Sequence, residues 1–191
     1  CESCISSFES IGGNHCPSCF KKGLSTICQD CQFWCKKGVK VDHVALYSYN
    51  QAMKEYFSRY KFDGDYLLRK VFSEILQKEL KKYKDYQIVI VPLSDERLKS
   101  RGFNQVEGLI KDTGLAYLDI LVKKEVEASS SKNRADRLLT EFPFFLKDGV
   151  KPPENILLFD DIYTTGTTLN RLKSMLLEAG CQNIKTFSLA R

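Results

Sequence analysis

The sequence predicts an α/β protein: a mostly parallel sheet with helices on both faces, preceded by a small cysteine-rich zinc ribbon. Three observations carry this. Apolar runs that read as buried strands alternate with segments whose apolar residues recur at helical spacing, the signature of β-α units. Seven of the eight cysteines lie within the first 35 residues, and the rest of the chain holds only Cys181. A disulfide scaffold would spread its cysteines through the domain that it staples, so this clustering points to a metal module. After KKGVK, Lys36 to Lys40, the composition turns to ordinary α/β material, which places a zinc-ribbon module at 1–40 and an α/β domain at 41–191.

The head reads CESC (Cys1 to Cys4), CPSC (Cys16 to Cys19) and CQDC (Cys28 to Cys31), with Cys35 trailing. Each C-x-x-C turn lets two thiolates meet one tetrahedral ion, and the gap between CPSC and CQDC reads as a short ribbon hairpin. Zn²⁺ is therefore expected at Cys16, Cys19, Cys28 and Cys31. A chain opening at Cys1 without methionine is expected to have lost its native start, so Cys1 and Cys4 are read as a second site with ligands upstream. Two other arrangements stay open: Cys1 and Cys4 with one of the later pairs, or Cys35 as a substitute ligand. Gly12, Gly13, Pro17 and Gly23 flank these pairs where a redox C-x-x-C would need a strand and a helix. His15 is read as a turn residue, and Phe33 and Trp34 as packing the ribbon against the domain rather than stacking on a nucleobase. Cys181 is read as a small buried hydrophobe.

In the body, HVALYSY (His43 to Tyr49) is β-prone, and Asn50 caps an amphipathic helix that breaks at Asp63-Gly64. From Asp65 to Tyr83 the residues Leu67, Leu68, Val71, Phe72, Ile75, Leu76, Leu80 and Tyr83 follow helical spacing. Lys78, Lys81, Lys82 and Lys84 form its solvated side, with a nucleic-acid patch as the alternative. QIVIVPL (Gln87 to Leu93) is a buried parallel strand stopped by proline. A polar loop, SDERLKSRGFNQ, follows it, then a helix with Val106, Leu109 and Ile110. YLDILVKK supplies a strand, ILLFDD another, TTLNRLKSMLLEAG a helix ending at Gly180, and NIKTFSLAR the last strand. KKEVEASSSKNRADRLLTEF, Lys123 to Phe142, reads as a lid over a site or as a connector.

Ligands of such sheets bind beyond the carboxyl ends of the strands. Asp160 and Asp161 emerge there, and Thr164, Thr165, Gly166, Thr167 and Thr168 lead straight into a helix whose first turn has unpaired N–H groups. Those donors, the helix dipole and the hydroxyls favour one phosphate. Neither G-x-x-x-x-G-K-[ST] nor G-x-G-x-x-G is present, which argues against a triphosphate or a dinucleotide. Carboxylates repel phosphate, so the acidic pair is read as accepting a sugar's hydroxyls while the loop takes its phosphate. The plainer alternative makes the pair a Mg²⁺ site or a helix cap, with ordinary turn threonines.

ILLFDDIYTTGTTL resembles the signature of the type I phosphoribosyltransferase fold. The resemblance implies binding of 5-phosphoribosyl 1-pyrophosphate (PRPP) with Mg²⁺, catalytic and ribose-binding roles for Asp160 and Asp161, and phosphate contacts from Thr164 to Thr168. The family's pyrophosphate loop falls at Leu93, Ser94 and Arg97, with Arg101 beyond. VPL followed by RLKSRGFNQ, YKFDGD (Tyr60 to Asp65) and the zinc ribbon are together similar to the ComF/ComFC family of competence proteins. That likeness covers the whole chain. It implies support for single-stranded DNA uptake together with a ComFA-type ATP-driven helicase, and Arg137 corresponds to an arginine of the family's flexible region, although the glutamine often found before it is missing. An active phosphoribosyltransferase working on an unidentified base is the second function that it implies.

With 29 Lys+Arg against 24 Asp+Glu and a pI of about 8.7, the chain suits phosphate ligands or nucleic acid. It holds no apolar run of about 18 residues and no signal peptide, so a cytoplasmic location is expected, peripheral to the membrane through an uptake complex.

Overall fold

The computed structural model describes residues 2–124 and 143–191. Cys1, Arg137 and the lid reading of 125–142 lie outside the described residues. Five strands, β1 (His43–Tyr47), β2 (Gln87–Ile90), β3 (Tyr117–Leu118), β6 (Asn155–Ile162) and β7 (Asn183–Ala190), stand in the order β1-β7-β6-β2-β3. All their pairings are parallel. From β2 the chain moves outward to β3, and from β6 it moves the other way to β7. The direction reverses between β2 and β6, which is where ligands of such sheets bind.

Alternation along β6 explains the two-faced core. Ile156 and Leu158 join one apolar cluster with Val89 and Val91, whereas Leu157 and Phe159 join the other with Ile88 and Ile90. All four β6 residues are fully buried, each burial contributing about 1.5–3 kcal/mol. The first face is covered by α7 (Thr167–Glu178), through Leu169, Leu172 and Leu176, and by the cysteine segment with Trp34. The second is covered by α3 (Gln51–Lys61), α4 (Ser73–Leu80) and α6 (Gln105–Lys111). Asn50 caps α3 as expected, its side chain accepting the Met53 N–H at 3.0 Å. Helices on both faces of a mostly parallel sheet are thus what the sequence predicted.

Four local readings need correction. The helix expected over 65–83 begins as a 3-10 turn, Tyr66–Phe72, becomes α4, and closes in a second 3-10 turn, Lys81–Tyr83. Carbonyls of the first turn are taken by side chains instead of the α ladder: Tyr56 Oη donates to Leu68 O, and Arg69 Nη1 to Tyr66 O. Leu67 consequently stays exposed. The polar stretch after β2 is not a loop but α5 (Asp95–Arg101). Asp95 and Glu96 open its first turn, Lys99 and Arg101 lie in its last, and Gly102 ends it at φ 80°. YLDILVKK is two strands, because after β3 the chain breaks away as β4 (Leu121–Lys123), antiparallel to β5 (Phe144–Leu146). Finally, no hairpin fills the gap between CPSC and CQDC. An antiparallel bridge, His15 to Lys22, straddles CPSC, and CQDC starts helix α2 (Gln29–Lys36). A short helix α1 (Glu2–Ser6) precedes this module.

Gly108 lets α6 meet α3, since a Cβ there would stand 2.2 Å from the hydroxyl of Tyr60, a fully buried side chain that donates to Gln105 O at 3.0 Å. Gly108→Ala is therefore expected to destabilise by about 1–3 kcal/mol although alanine is the better helix former. A thermal melt checks this, and an unchanged or raised midpoint would mean that Tyr60 can yield.

Candidate functional site

At the β2/β6 reversal lies a cleft of about 540 Å³, lined among others by Lys61, Arg97, Arg101, Asp160, Asp161 and Thr168. A hollow of about 50 Å³ adjoins it, lined among others by Tyr163, Thr164, Thr165, Gly166, Thr167 and Leu169 of the threonine loop. Asp160 and Thr168 belong to both spaces.

The acidic pair sits at the end of β6, where strand geometry turns both carboxylates back on the backbone. Asp160 Oδ1 accepts the Asp161 N–H at 2.8 Å, and Asp161 Oδ1 accepts the Ile162 N–H at 2.8 Å. Asp161 is buried, and Lys61 at the end of α3 forms an ion pair with its Oδ2. Lys61 also lies 4.4 Å from the Phe57 ring centroid. Asp161 is thus already engaged, and Asp160, partly open to the cleft, presents the freer carboxylate. Burial first, and the Asp161 charge second, push the Asp160 carboxyl well above the usual carboxylate range.

A carboxyl raised in the folded state favours the protonated form. Its stabilising contribution is complete below the unfolded value near 3.8 and is lost as pH rises through the folded value. Ionising Asp160 therefore costs stability as pH rises. Asp160→Asn should raise the melting temperature by about 2–6 °C at pH 8, with the gain shrinking toward pH 4. Melts at the two pH values check this, and a variant that melts lower than wild type at pH 8 would contradict it.

In the threonine loop Gly166 has φ 78°, and a Cβ there would fall 2.1 Å from Tyr163 Oη and 2.6 Å from Asn170 Nδ2. Both the backbone angle and the close approach require glycine. The Thr165 and Thr167 hydroxyls are 2.9 Å apart, and Asn170 N donates to Gly166 O at 2.9 Å as the helix ladder begins. The N–H groups of Thr167, Thr168 and Leu169 precede that ladder, at the positive end of a helix of 12 residues. The loop's carbonyls are held from behind: Trp34 Nε1 donates to Thr165 O at 2.9 Å, and Arg191 Nη1 donates to Thr164 O.

Across the cleft, Leu93, Arg97 and Arg101 contribute to the lining, whereas Ser94 is buried at the start of α5 and does not. Arg101 is positioned by Nε donating to Lys61 O at 3.1 Å and by a bond from Nη1 to Gln105 Oε1. Sequence reasoning missed Lys61, Phe62, Gln105, Lys123 and Phe144 as lining residues. Lys61 and Phe62 lie inside the YKFDGD motif, which was the available signal. It also missed His43, buried between Thr186 Oγ1 and Ser188 Oγ at 3.0 Å each, with its ring stacked 4.0 Å from that of Tyr163.

The second candidate centre is the cysteine cluster. Cys16, Cys19, Cys28 and Cys31 are buried, with their sulfurs all within 4.8 Å of one another. Cys16 and Cys31 Sγ are 3.9 Å apart, and Cys19 and Cys28 Sγ 3.5 Å. Zn–S bonds of about 2.3 Å in a tetrahedron imply sulfur separations of about 3.8 Å, so the four thiols fit Zn²⁺. The Cys28 N–H also donates to Cys16 Sγ at 3.3 Å. Among the described residues, Cys4 and Cys35 are exposed and outside this cluster. His15 stacks on Phe20 at 4.1 Å instead of joining it. Trp34 is buried as expected, but Phe33 is half exposed. Cys181 is a buried thiol whose Sγ lies 3.2 Å from Glu154 O, away from both centres.

No family model matches the chain. Over 191 residues it is 63% identical to "Competence protein ComFC" of Streptococcus pneumoniae, covering all of this chain and 87% of that protein. It is 34% identical over 200 residues to the protein of the same description in Bacillus subtilis, covering 83% of it. "Competence protein F" of Haemophilus influenzae is 26% identical over 209 residues. Among solved structures, a hypoxanthine phosphoribosyltransferase from Staphylococcus aureus overlaps 64% of this chain and 63% of its own, less than two thirds of its length, at 19% identity and a TM-score of 0.37. Among the described residues, no helix is long and apolar enough to cross a membrane.

Proposed function

Because the chain belongs to the ComFC family of competence proteins, we propose that it supports the uptake of single-stranded DNA alongside a ComFA-type helicase, and that its cleft binds PRPP or a related ribose phosphate. One observation carries the ligand reading: an anion-sized hollow at a helix N-terminus opens beside a larger cleft lined by Lys61, Arg97 and Arg101, and the two share Asp160 and Thr168. A ribose 5-phosphate would set its phosphate in the first space and its sugar in the second. Its 5-phosphate would take the loop's N–H and hydroxyl donors. Its ring hydroxyls would donate to Asp160, relieving the burial of that charge, while Lys61 keeps Asp161 oriented. Arg97 and Arg101 would face the pyrophosphate of PRPP. Mg²⁺, a hard cation taking oxygen ligands, would neutralise phosphate charge, and among the described residues the Asp160 carboxylate lines the cleft where it would be held.

The two arginines also favour a second reading, a phosphoribosyltransferase in which they stabilise departing pyrophosphate. Titration calorimetry with PRPP and Mg²⁺ tests the ligand claim. Wild type is expected to bind, and Asp160→Asn with Asp161→Asn to bind at least about tenfold more weakly, one charge-assisted hydrogen bond being worth about 1.5–3 kcal/mol. No binding by wild type would end the ribose-phosphate reading. Binding without pyrophosphate release across a panel of bases would end the transferase reading and leave the first. For the DNA role, weak single-strand binding that falls steeply with salt is expected, and an affinity indifferent to salt would count against it.

A further inference from the structure

We propose that Arg191 and Trp34 are positioning residues that join the cysteine cluster to the threonine loop, so that metal occupancy and phosphate occupancy strengthen each other. The two centres share a wall. Trp34 stands three residues after Cys31 on α2, and its indole N–H holds Thr165 O at 2.9 Å. Arg191, with a side chain only 4% exposed, reaches both ways. On one side Nη1 donates to Thr164 O. On the other, Nη2 sits 3.5 Å from Asp30 Oδ2 and 3.9 Å from Cys28 Sγ, both in the cysteine segment. Its guanidinium lies 4.6 Å from the centroid of Tyr163, the ring against which Gly166 packs. Two consecutive carbonyls of the loop, Thr164 and Thr165, are therefore held by donors whose own positions depend on the cysteine segment.

A divalent ion with four thiolates carries net negative charge, and a buried guanidinium beside Cys28 offsets it. The same cation fixes Thr164 O, leaving the loop's donors ordered before any ligand arrives. If the metal leaves, the first turn of α2 loses its anchor, Trp34 and Asp30 shift, and the loop must be ordered at the expense of phosphate binding. Linkage is reciprocal, so bound phosphate must oppose metal loss by the same factor.

This inference rests on the threonine loop being the phosphate site, and the test separates the two. Partition of zinc between the full chain and a competing chromogenic chelator is measured at equilibrium with and without saturating ribose 5-phosphate, whose binding is measured separately by calorimetry. The apparent zinc affinity is expected to rise about fivefold or more. Arg191→Met should keep its zinc content, bind ribose 5-phosphate about fivefold or more weakly, and lose the protection, with Arg191→Lys restoring part of it. Trp34→Phe, which keeps a ring but removes the N–H, should lose part of the protection even if Arg191→Met proves unable to hold zinc. Ribose 5-phosphate that binds yet leaves the zinc affinity unchanged overturns the coupling and spares the phosphate reading. Protection undiminished in both Arg191→Met and Trp34→Phe overturns the roles of these residues. Failure of ribose 5-phosphate to bind at all brings down both claims.

Discussion

Cys31→Ser is expected to abolish zinc binding at the cysteine cluster and to destabilise the chain by several kcal/mol. Apparent binding energies of structural zinc reach about 10–16 kcal/mol at neutral pH, and where the ligands are assembled by folding that energy is folding energy. Here Cys28 and Cys31 open α2, and Cys16, Cys19 and Trp34 belong to the apolar cluster under β6 and α7. Loss of the ion should accordingly lower the unfolding midpoint of the main sheet as well as that of the head. Metal analysis should fall from one zinc per chain toward none, and a chelator should depress the denaturant midpoint of wild type to that of Cys31→Ser while leaving the variant unmoved. Cys35 is exposed one helical turn beyond Cys31. Retention of a full zinc in Cys31→Ser, abolished by adding Cys35→Ser, would identify Cys35 as a substitute ligand and refute the expected loss.

Lys61→Met is expected to cost about 3–5 kcal/mol, because it strands the Asp161 carboxylate, only 6% exposed, without its cation. The double variant Lys61→Met with Asp161→Asn removes the stranded charge and should recover most of that loss. Denaturant unfolding of the four proteins in this cycle measures the coupling, and additive single effects would show that the ion pair contributes nothing. Lys61→Met should also weaken ribose phosphate binding. Its effect is to leave Asp161 free to compete for the cation that Asp160 should attract.

The parallel sheet was legible because β2 and β6 are apolar on both faces, and a strand covered twice leaves an unbroken run in the sequence. The acidic pair and the threonine loop were legible because their order along the chain is their order in space. The fourfold cysteine grouping was legible for the same reason. What escaped were long-range partners: Lys61 against Asp161, Trp34 against Thr165, Arg191 against Cys28. A side chain that meets its partner a hundred or more positions away leaves no spacing to read. Helix α5 escaped for a different reason, since its polarity outweighed the acidic start and glycine stop that mark a helix. The split of YLDILVKK into β3 and β4 follows from pairing with β5, which no local pattern announces.

The order of strands also sets a timetable for folding. β7 pairs with both β1 and β6, so His43 meets Thr186 only when the last of the five strands is in place. Until then β1 has no neighbour in the sheet and β6 has an open edge, both of them apolar templates for misplaced pairing. Contacts of such long sequence separation form slowly. The cysteine segment, by contrast, needs only residues 16–31 to assemble its ligands. During synthesis the cysteine segment can assemble long before the platform that it leans on exists, while β1 and one edge of β6 wait unpaired for the last strand.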